Sequence, residues 1–450
     1  MVPKSDNTVV KRQYNCSVIS LGCDKNRVDT ERMMYNLNQV GYSFVEHLSD
    51  AHLIIVNTCA FITSAQKESI DTILQVANYK ISGVCQKLIV TGCMSQKYAV
   101  STLYNDLPEV DAFLGVGAYD RIGSIVDKLY KGDRVIDVED TKIESTERFV
   151  TTPQHYAYLK ISEGCNFKCS FCTIPSIRGK LKSRDVNSLI EETKSLVDKG
   201  AKEIILVAQD LTSFGFDLGN VRLNDLVEHL GQIEGVEWIR LMYCYPDLVT
   251  DNIIDLIAHH SKVTKYIDMP LQHINTRILQ LMGRHQTKDK TISLIKKIRE
   301  ANSDIAIRST FITGFPSESD AEHEELIEFL KTQKLDNVGF FAYSREQGTP
   351  SYDFKHQITK KVKNNRLKEL GQAQLQVARQ KNQSLIGKSV TVLYEGIDYD
   401  KQMLYGRTQQ NAPNIDSLVY FNAKNCDIGN FYQVVINGVS DYDLIGEIIS

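Results

Sequence analysis

The chain is 450 residues long, 42% apolar and 24% charged, with a formal net charge of -4. That length exceeds what one hydrophobic core usually organises, so two or three domains are expected. The near-balanced charge excludes a chain drawn as a whole to nucleic acid, and such a partner would need a local basic patch. No apolar run reaches the length of a membrane span, and the opening MVPKSDNTVVKRQYNC lacks the apolar stretch of a signal peptide. The expectation is therefore no membrane, a cytoplasmic location, and ten cysteines that are reduced or metal-bound rather than paired.

From Tyr14 to about Tyr130, short β-branched segments alternate with helical spacing. Cys16 to Leu21, Leu53 to Val56 and Leu88 to Thr91 read as strands, and Asp29 to Val40 and Thr63 to Tyr79 as helices, the second capped by Thr63. The alternation predicts an open parallel α/β sheet. Each strand runs straight into a cysteine, at Gly22-Cys23, Thr58-Cys59 and Gly92-Cys93. Because ligands of open α/β sheets collect beyond the carboxyl ends of the strands, Cys23, Cys59 and Cys93 are expected to meet at one edge as a metal-cluster site. Three buried thiols are the ordinary alternative. Cys16, Cys85, Cys244 and Cys426 are expected to be structural.

The polar, weakly periodic residues up to Pro153 read as a connection, which divides the chain into an amino-terminal domain 1–135, a linker 136–153, a central domain 154–385 and a carboxyl-terminal domain 386–450. In the central domain, strands are expected at Tyr156 to Ser162, Glu203 to Ala208, Trp238 to Tyr243, Lys265 to Met269, Ile305 to Ile312 and Asn337 to Tyr343. Helical stretches intervene at Val186 to Lys199, Asp251 to His259, Thr291 to Glu300 and Asp320 to Leu330, so the pattern predicts a partial (βα)6 barrel with its chemistry at the carboxyl ends of the strands.

At the first of those ends the chain reads EGCNFKCSFCTIPSIR, with Cys165, Cys169 and Cys172 four and then three positions apart. Three thiolates cannot pair off without leaving one over, and they leave one position open on a site that wants four. An iron-sulfur cluster with one open iron fits, whereas structural zinc usually takes four protein ligands in two C-x-x-C pairs. Pro175 and Gly179 are expected to prevent an immediate helix. The other strand ends carry Gln209-Asp210, Tyr243, Tyr245-Pro246, Gln272-His273, Gly314-Phe315-Pro316 and Ser344-Arg345. His273 and Arg345 suit a structural role as readily as a functional one.

After Asp353 a basic segment turns helical, and from Gly387 five short β segments predict a small antiparallel barrel. That last module carries Lys388, Lys401, Arg407 and Lys424 against Glu395, Asp398, Asp400, Asp416, Asp427, Asp441, Asp443 and Glu447. An acidic module suits a basic protein partner better than RNA phosphates.

The spacing C-x-x-x-C-x-aromatic-C, with Phe171 before the last cysteine, resembles the signature of the radical S-adenosylmethionine superfamily. With ISLGCDKNRVDTE, IVNTCAFI, YLKISEGC, CTIPSIRG, LVAQDLT, IRLMYCYP, IDMPLQH, FITGFPSE and FFAYSREQGTP, nearly the whole chain resembles the methylthiotransferases of that superfamily, which end in a TRAM-type barrel. Among them it is most similar to the branch acting on ribosomal protein twelve of the small subunit. The resemblance implies two 4Fe-4S clusters, one on Cys23, Cys59 and Cys93 and one on Cys165, Cys169 and Cys172, together with S-adenosylmethionine near Phe171, Gly314 and Glu318. It implies that a deoxyadenosyl radical takes hydrogen from the β-carbon of an aspartate, which then receives a methylated sulfur, with both clusters opening on one substrate. The implied partners are that ribosomal protein, free or within its subunit, and an electron donor such as flavodoxin or ferredoxin; the sulfur donor stays open. Met94 departs from the family pattern without touching the chemistry, and Asn414 stands where relatives often carry an acidic residue, a departure that bears only on how the substrate docks. A methylthiotransferase acting on adenosine in transfer RNA, and a non-catalytic iron-sulfur sensor or ribosome-binding factor, are the rival readings.

Overall fold

The computed structural model describes residues 14–139, 147–423 and 425–449. Its contacts divide the chain into two compact units, Met1–Thr151 with Ser176–Arg178, and Thr152–Pro175 with Gly179–Ser450. Among the described residues no helix is long and apolar enough to cross a membrane.

The first unit is built on a six-stranded sheet, β1 Tyr14–Ser20, β2 Tyr42–Phe44, β3 Leu53–Thr58, β4 Lys87–Gly92, β5 Ala112–Leu114 and β6 Val135–Asp137, in the order β2-β1-β3-β4-β5-β6. Every pairing is parallel. β3 is buried along its whole length, between one apolar cluster around Ile54, Val56 and Val90 and another around Leu53, Ile55 and Ile89. This is why it reads as an unbroken apolar run.

Three expectations are corrected in this unit. The first helix begins at Asp24 rather than Asp29, because its first turns bury polar residues such as Lys25, Asn26 and Asp29, which apolar spacing cannot register. The cap of the second helix falls on Ile62, not Thr63, with no side-chain cap bond. Val135–Asp137, within the stretch read as a connection, pairs with Ala112–Leu114 and completes the sheet. Three residues are too few to show periodicity.

The second unit carries six parallel strands in chain order. β7 Tyr156–Lys160, β10 Glu203–Val207 and β11 Trp238–Leu241 form one sheet, and β12 Tyr266–Asp268, β13 Ala306–Thr313 and β14 Asn337–Ala342 another. A single parallel bridge, Ile239 to Val263, joins them into an open arc, the partial (βα)6 barrel. A short antiparallel pair, β8 Ser162–Glu163 with β9 Lys182–Ser183, pinches the base of the cysteine loop.

The 24-residue helix Lys360–Gln383 leads to a closed barrel of β15 Ser389–Asp398, β16 Met403–Arg407, β17 Val419–Asn422, β18 Phe431–Ser440 and β19 Asp443–Ile448. The expected all-antiparallel pairing is corrected at one seam, where β17 and β19 run parallel. A closed ring of five strands cannot alternate direction all the way round, so one seam must be parallel. The loop after β16 sits against the amino ends of the arc: Arg240 Nη1 donates to Gln409 O at 2.8 Å, Asn337 Nδ2 to Gln410 O at 3.3 Å, and Tyr266 OH to Asp416 at 2.7 Å. The barrel therefore covers the amino side of the arc, opposite the cysteine loop.

Candidate iron-sulfur and cofactor site

The loop bearing Cys165, Cys169 and Cys172 leaves β7 through β8. Its root is fixed by Glu163, whose carboxylate accepts from Lys160 Nζ at 2.8 Å and from Gln209 Nε2 at 2.5 Å. Cys165 N donates to Gly179 O at 3.1 Å, and Cys172 N to Cys169 O at 3.1 Å, so the three cysteines lie on one tight turn. All three are partly buried and none is disulfide-bonded. Ile174 N donates to Cys172 Sγ at 3.4 Å, the kind of contact that favours a thiolate. Burial pushes the Cys165 thiol up to about 11 and Cys172 up to about 12. A metal must therefore displace the protons, as iron does when it takes thiolate ligands. The expectation that Pro175 delays a helix is corrected: a short helix runs Ile174–Arg178 with Pro175 in its first turn, where its missing N–H costs nothing.

In the first unit Cys23 stands at the N-cap of the helix Asp24–Gln39, Cys59 directly follows β3, and Cys93 opens the helix Cys93–Tyr98. Helix amino ends favour anionic sulfur. Burial above all, with a smaller push from the nearby Cys93 and Cys23, raises the Cys59 thiol to about 11. The turn before Cys93 needs Gly92, whose φ is +91° and where a Cβ would lie 2.2 Å from Asn57 Oδ1 and 2.7 Å from Thr58 O. Asn26 Nδ2 donates to Leu21 O and Thr58 O, both at 3.0 Å, tying the strand ends together. Arg178, which belongs to this unit by its contacts, donates to Asn26 Oδ1 at 2.6 Å and to Asp29 at 3.1 Å, with Nη2 3.6 Å from Cys93 Sγ. Among the described residues no three His, Cys, Asp or Glu side chains converge as on a single metal ion. A four-iron cluster takes each thiolate on a different iron and needs no such convergence.

The remaining expected site residues are mostly held by the protein itself. Phe171 packs on a cluster of Ile278, Met282, Phe315 and Tyr343. Gly314 has φ +71° and lies against Lys363, whose Cγ would be 2.4 Å from a Cβ there. Glu318 is buried and accepts from Phe315 N at 2.9 Å, Thr313 Oγ1 at 3.2 Å and Arg366 Nη1 at 3.1 Å. Asp210 is turned onto Thr212 and Ser213. His273 is fully buried, accepts at Nδ1 from Asn275 N, and is pushed down to about 3 by burial, so it stays neutral and suits a structural role. Arg345 stacks on Tyr352 and donates to its carbonyl at 2.7 Å.

Phe167, Tyr245 and Arg284 form a group that no signal in the sequence joins. The Phe167 and Tyr245 rings stack with centroids 3.6 Å apart and planes 4° from parallel, and the Arg284 guanidinium lies 4.4 Å from the Tyr245 ring centre. Only Phe167 falls inside the cysteine motif, and no local pattern ties Arg284 to a loop more than a hundred residues earlier.

Family models match the chain in three places: UPF0004, described as an uncharacterized protein family, at residues 15–115, the radical SAM superfamily at 159–330 and the TRAM domain at 386–449. The chain is 43% identical over 445 residues to the ribosomal protein uS12 methylthiotransferase RimO of Acetivibrio thermocellus, covering 96% of this chain and 98% of that one. It is 43% identical over 440 residues to the RimO of Geobacter sulfurreducens, with coverage of 96% and 98%. Among solved structures, the radical S-adenosylmethionine methyltransferase TsrM from Kitasatospora setae, with cobalamin and a [4Fe-4S] cluster bound, superimposes with a TM-score of 0.55 at 14% identity, covering 76% of this chain and 74% of that one. That likeness speaks for the fold alone. Full-length identity of this order, with all three domain models in the same chain, means that this chain belongs to the ribosomal protein uS12 methylthiotransferase family.

Proposed function

We propose that the chain adds a methylthio group to the β-carbon of an aspartate in ribosomal protein uS12 by radical S-adenosylmethionine chemistry. The observation that carries this reading is the loop of Cys165, Cys169 and Cys172 at the carboxyl end of the first strand of an open parallel arc. When bound, iron-sulfur clusters and S-adenosylmethionine supply the one-electron chemistry, the sulfur and the methyl group that side chains cannot offer an unactivated C–H bond. Cys165, Cys169 and Cys172 would hold one 4Fe-4S cluster with an iron left open for the cofactor, and Cys23, Cys59 and Cys93 a second. Phe171, Gly314 and Glu318 serve the cofactor by shaping the carboxyl ends of the arc: the ring of Phe171 packs the loop onto the cluster that contains Phe315, and Glu318 holds the Thr313–Phe315 turn.

The exposed charges of the carboxyl-terminal barrel support a basic protein as substrate. Glu395 pairs with Arg407, Asp416 with Arg308 and Asp441 with Arg379, which leaves Asp398, Asp400, Asp427, Asp443 and Glu447 against Lys388 and Lys401 among the described residues there. A soluble electron donor of the flavodoxin or ferredoxin type would serve the cluster, and a ribosomal substrate implies the cytoplasm. The test is mass spectrometry of uS12 and of transfer RNA from a strain lacking this gene. Loss of a methylthio mass from uS12 is expected, and its persistence alongside loss from transfer RNA would transfer the reading to the RNA-modifying branch.

A further inference from the structure

Arg284, in the second unit, is a buried cation beside the cysteine loop. Its residue is 5% exposed, yet among the described residues it forms no ion pair with a carboxylate. Its polar contacts are Nη2 to Pro270 O at 2.9 Å and Nη1 to Cys169 Sγ at 4.0 Å, while Nε is buried without a partner. A buried cation is costly unless a negative charge faces it. The sulfur that Nη1 approaches belongs to Cys169, on the loop that also bears Cys165 and Cys172, and these sulfurs become anionic when they take a metal.

The surrounding geometry holds the guanidinium in that place. The turn that follows the helix Thr276–Leu281 grips the cysteine loop directly: Ser170 N donates to Met282 O at 2.8 Å and Ser170 Oγ to Leu281 O at 2.7 Å. Gly283, with φ +71°, lets the two backbones touch, since a Cβ there would stand 2.8 Å from Lys168 O and 3.6 Å from Cys169 Cα. Tyr245, stacked on Phe167 from within the cysteine loop, supplies an aromatic ring on which the guanidinium rests. Loop, turn and cation form one assembly.

We infer that Arg284 is a positioning residue that acts as the counter-cation of the cluster held by Cys165, Cys169 and Cys172, and that it raises the ease with which that cluster accepts an electron. This rests on the cluster assignment proposed above. Three thiolates leave the cluster anionic, and one-electron reduction adds a further negative charge, so a fixed cation stabilises the reduced form more than the oxidised one.

The experiment uses the full-length reconstituted protein, without ribosomal substrate. Iron content is measured, and the midpoint potential is followed by electron paramagnetic resonance on the signal that responds to added S-adenosylmethionine. Arg284→Met and Arg284→Gln remove the charge, and Arg284→Lys keeps it. Both uncharged variants are expected to lower the reduced-to-oxidised ratio at a given potential by about tenfold or more, equal to ~59 mV per factor of ten, while Arg284→Lys stays near the parent. An unchanged midpoint in Arg284→Met or Arg284→Gln at full iron content overturns the inference. Should the uncharged variants take up no iron, uptake by Arg284→Lys supports it, and failure of Arg284→Lys as well overturns it in favour of a purely steric role. A parent protein that binds no iron would instead sink the cluster assignment itself.

Discussion

Arg407 offers the sharpest test of how the carboxyl-terminal barrel is fastened to the radical domain. The side chain is fully buried and its Nη2 donates to Glu203 and to Glu395, both at 2.7 Å, while Nη1 donates to Asn411 O at 2.9 Å. Burial pushes the Glu203 carboxyl up, but Arg240 and Arg407 more than offset that and hold it below the usual carboxylate range. Glu395 is likewise pushed up by burial and brought lower by His155 and Arg407. Replacing Arg407 with Met keeps most of the volume but leaves two buried carboxylates with too little positive charge. Breaking a buried pair in this way costs about 3–5 kcal/mol, against a typical domain stability of about 5–15 kcal/mol. Denaturant unfolding of the iron-free chain should therefore shift to a clearly lower midpoint, or split into two transitions as the barrel loosens. The double variant Glu203→Gln with Arg407→Met removes one of the stranded charges and is expected to lose less than the sum of the single changes, by about 1 kcal/mol or more. Single-variant losses below about 1 kcal/mol, or strict additivity, would refute the view that this ion cluster fastens the barrel, since surface-like substitutions change stability by only about 0.5 kcal/mol.

Other consequences can be checked in parallel. Cys169→Ala is expected to abolish formation of deoxyadenosine from S-adenosylmethionine, whereas Cys59→Ala should retain it and lose methylthiolation; liquid chromatography of both products decides, and sulfur transfer by the second variant would remove the role given to Cys59. Gly92→Ala forces a Cβ onto Thr58 O from a backbone at φ +91° and should cost about 2–4 kcal/mol of stability, from left-handed strain and overpacking together. His273, held near 3 against an ordinary 6.5, stays neutral in the fold while the unfolded chain takes up a proton. Its contribution is therefore complete above about pH 6.5 and is lost progressively as pH falls toward about 3, roughly 3 kcal/mol by pH 4. His273→Gln should flatten that part of the stability profile of the iron-free chain, and an unchanged acid slope would count against the assignment.

Much of this protein was legible along the chain because its signals are local. The strands β3, β4 and β10 announce themselves as apolar runs, the three-cysteine loop by spacing, and the five carboxyl-terminal strands by alternation between turns. Cys23, Cys59 and Cys93 stand out by position, since each closely follows a parallel strand and parallel strands end on one side. Signals carried by few or polar residues were lost: β6 is three residues long, and the first helix buries Lys25, Asn26 and Asp29 on bonds that apolar spacing cannot register.

Sequence alone determined the order of the α/β sheet, the radical domain and the small barrel, and it shows the spacing of two sets of three cysteines, because cysteine spacing and strand pattern depend on neighbours in the chain. Tertiary structure decided what those neighbours cannot: that Glu318 and His273 are committed to internal partners, that the five-stranded barrel has one parallel seam and sits under the arc by way of Arg407, and that Arg284 lies against Cys169. Each of these depends on pairs of groups far apart in sequence, whose burial and charge acquire meaning only once the fold has removed water from between them.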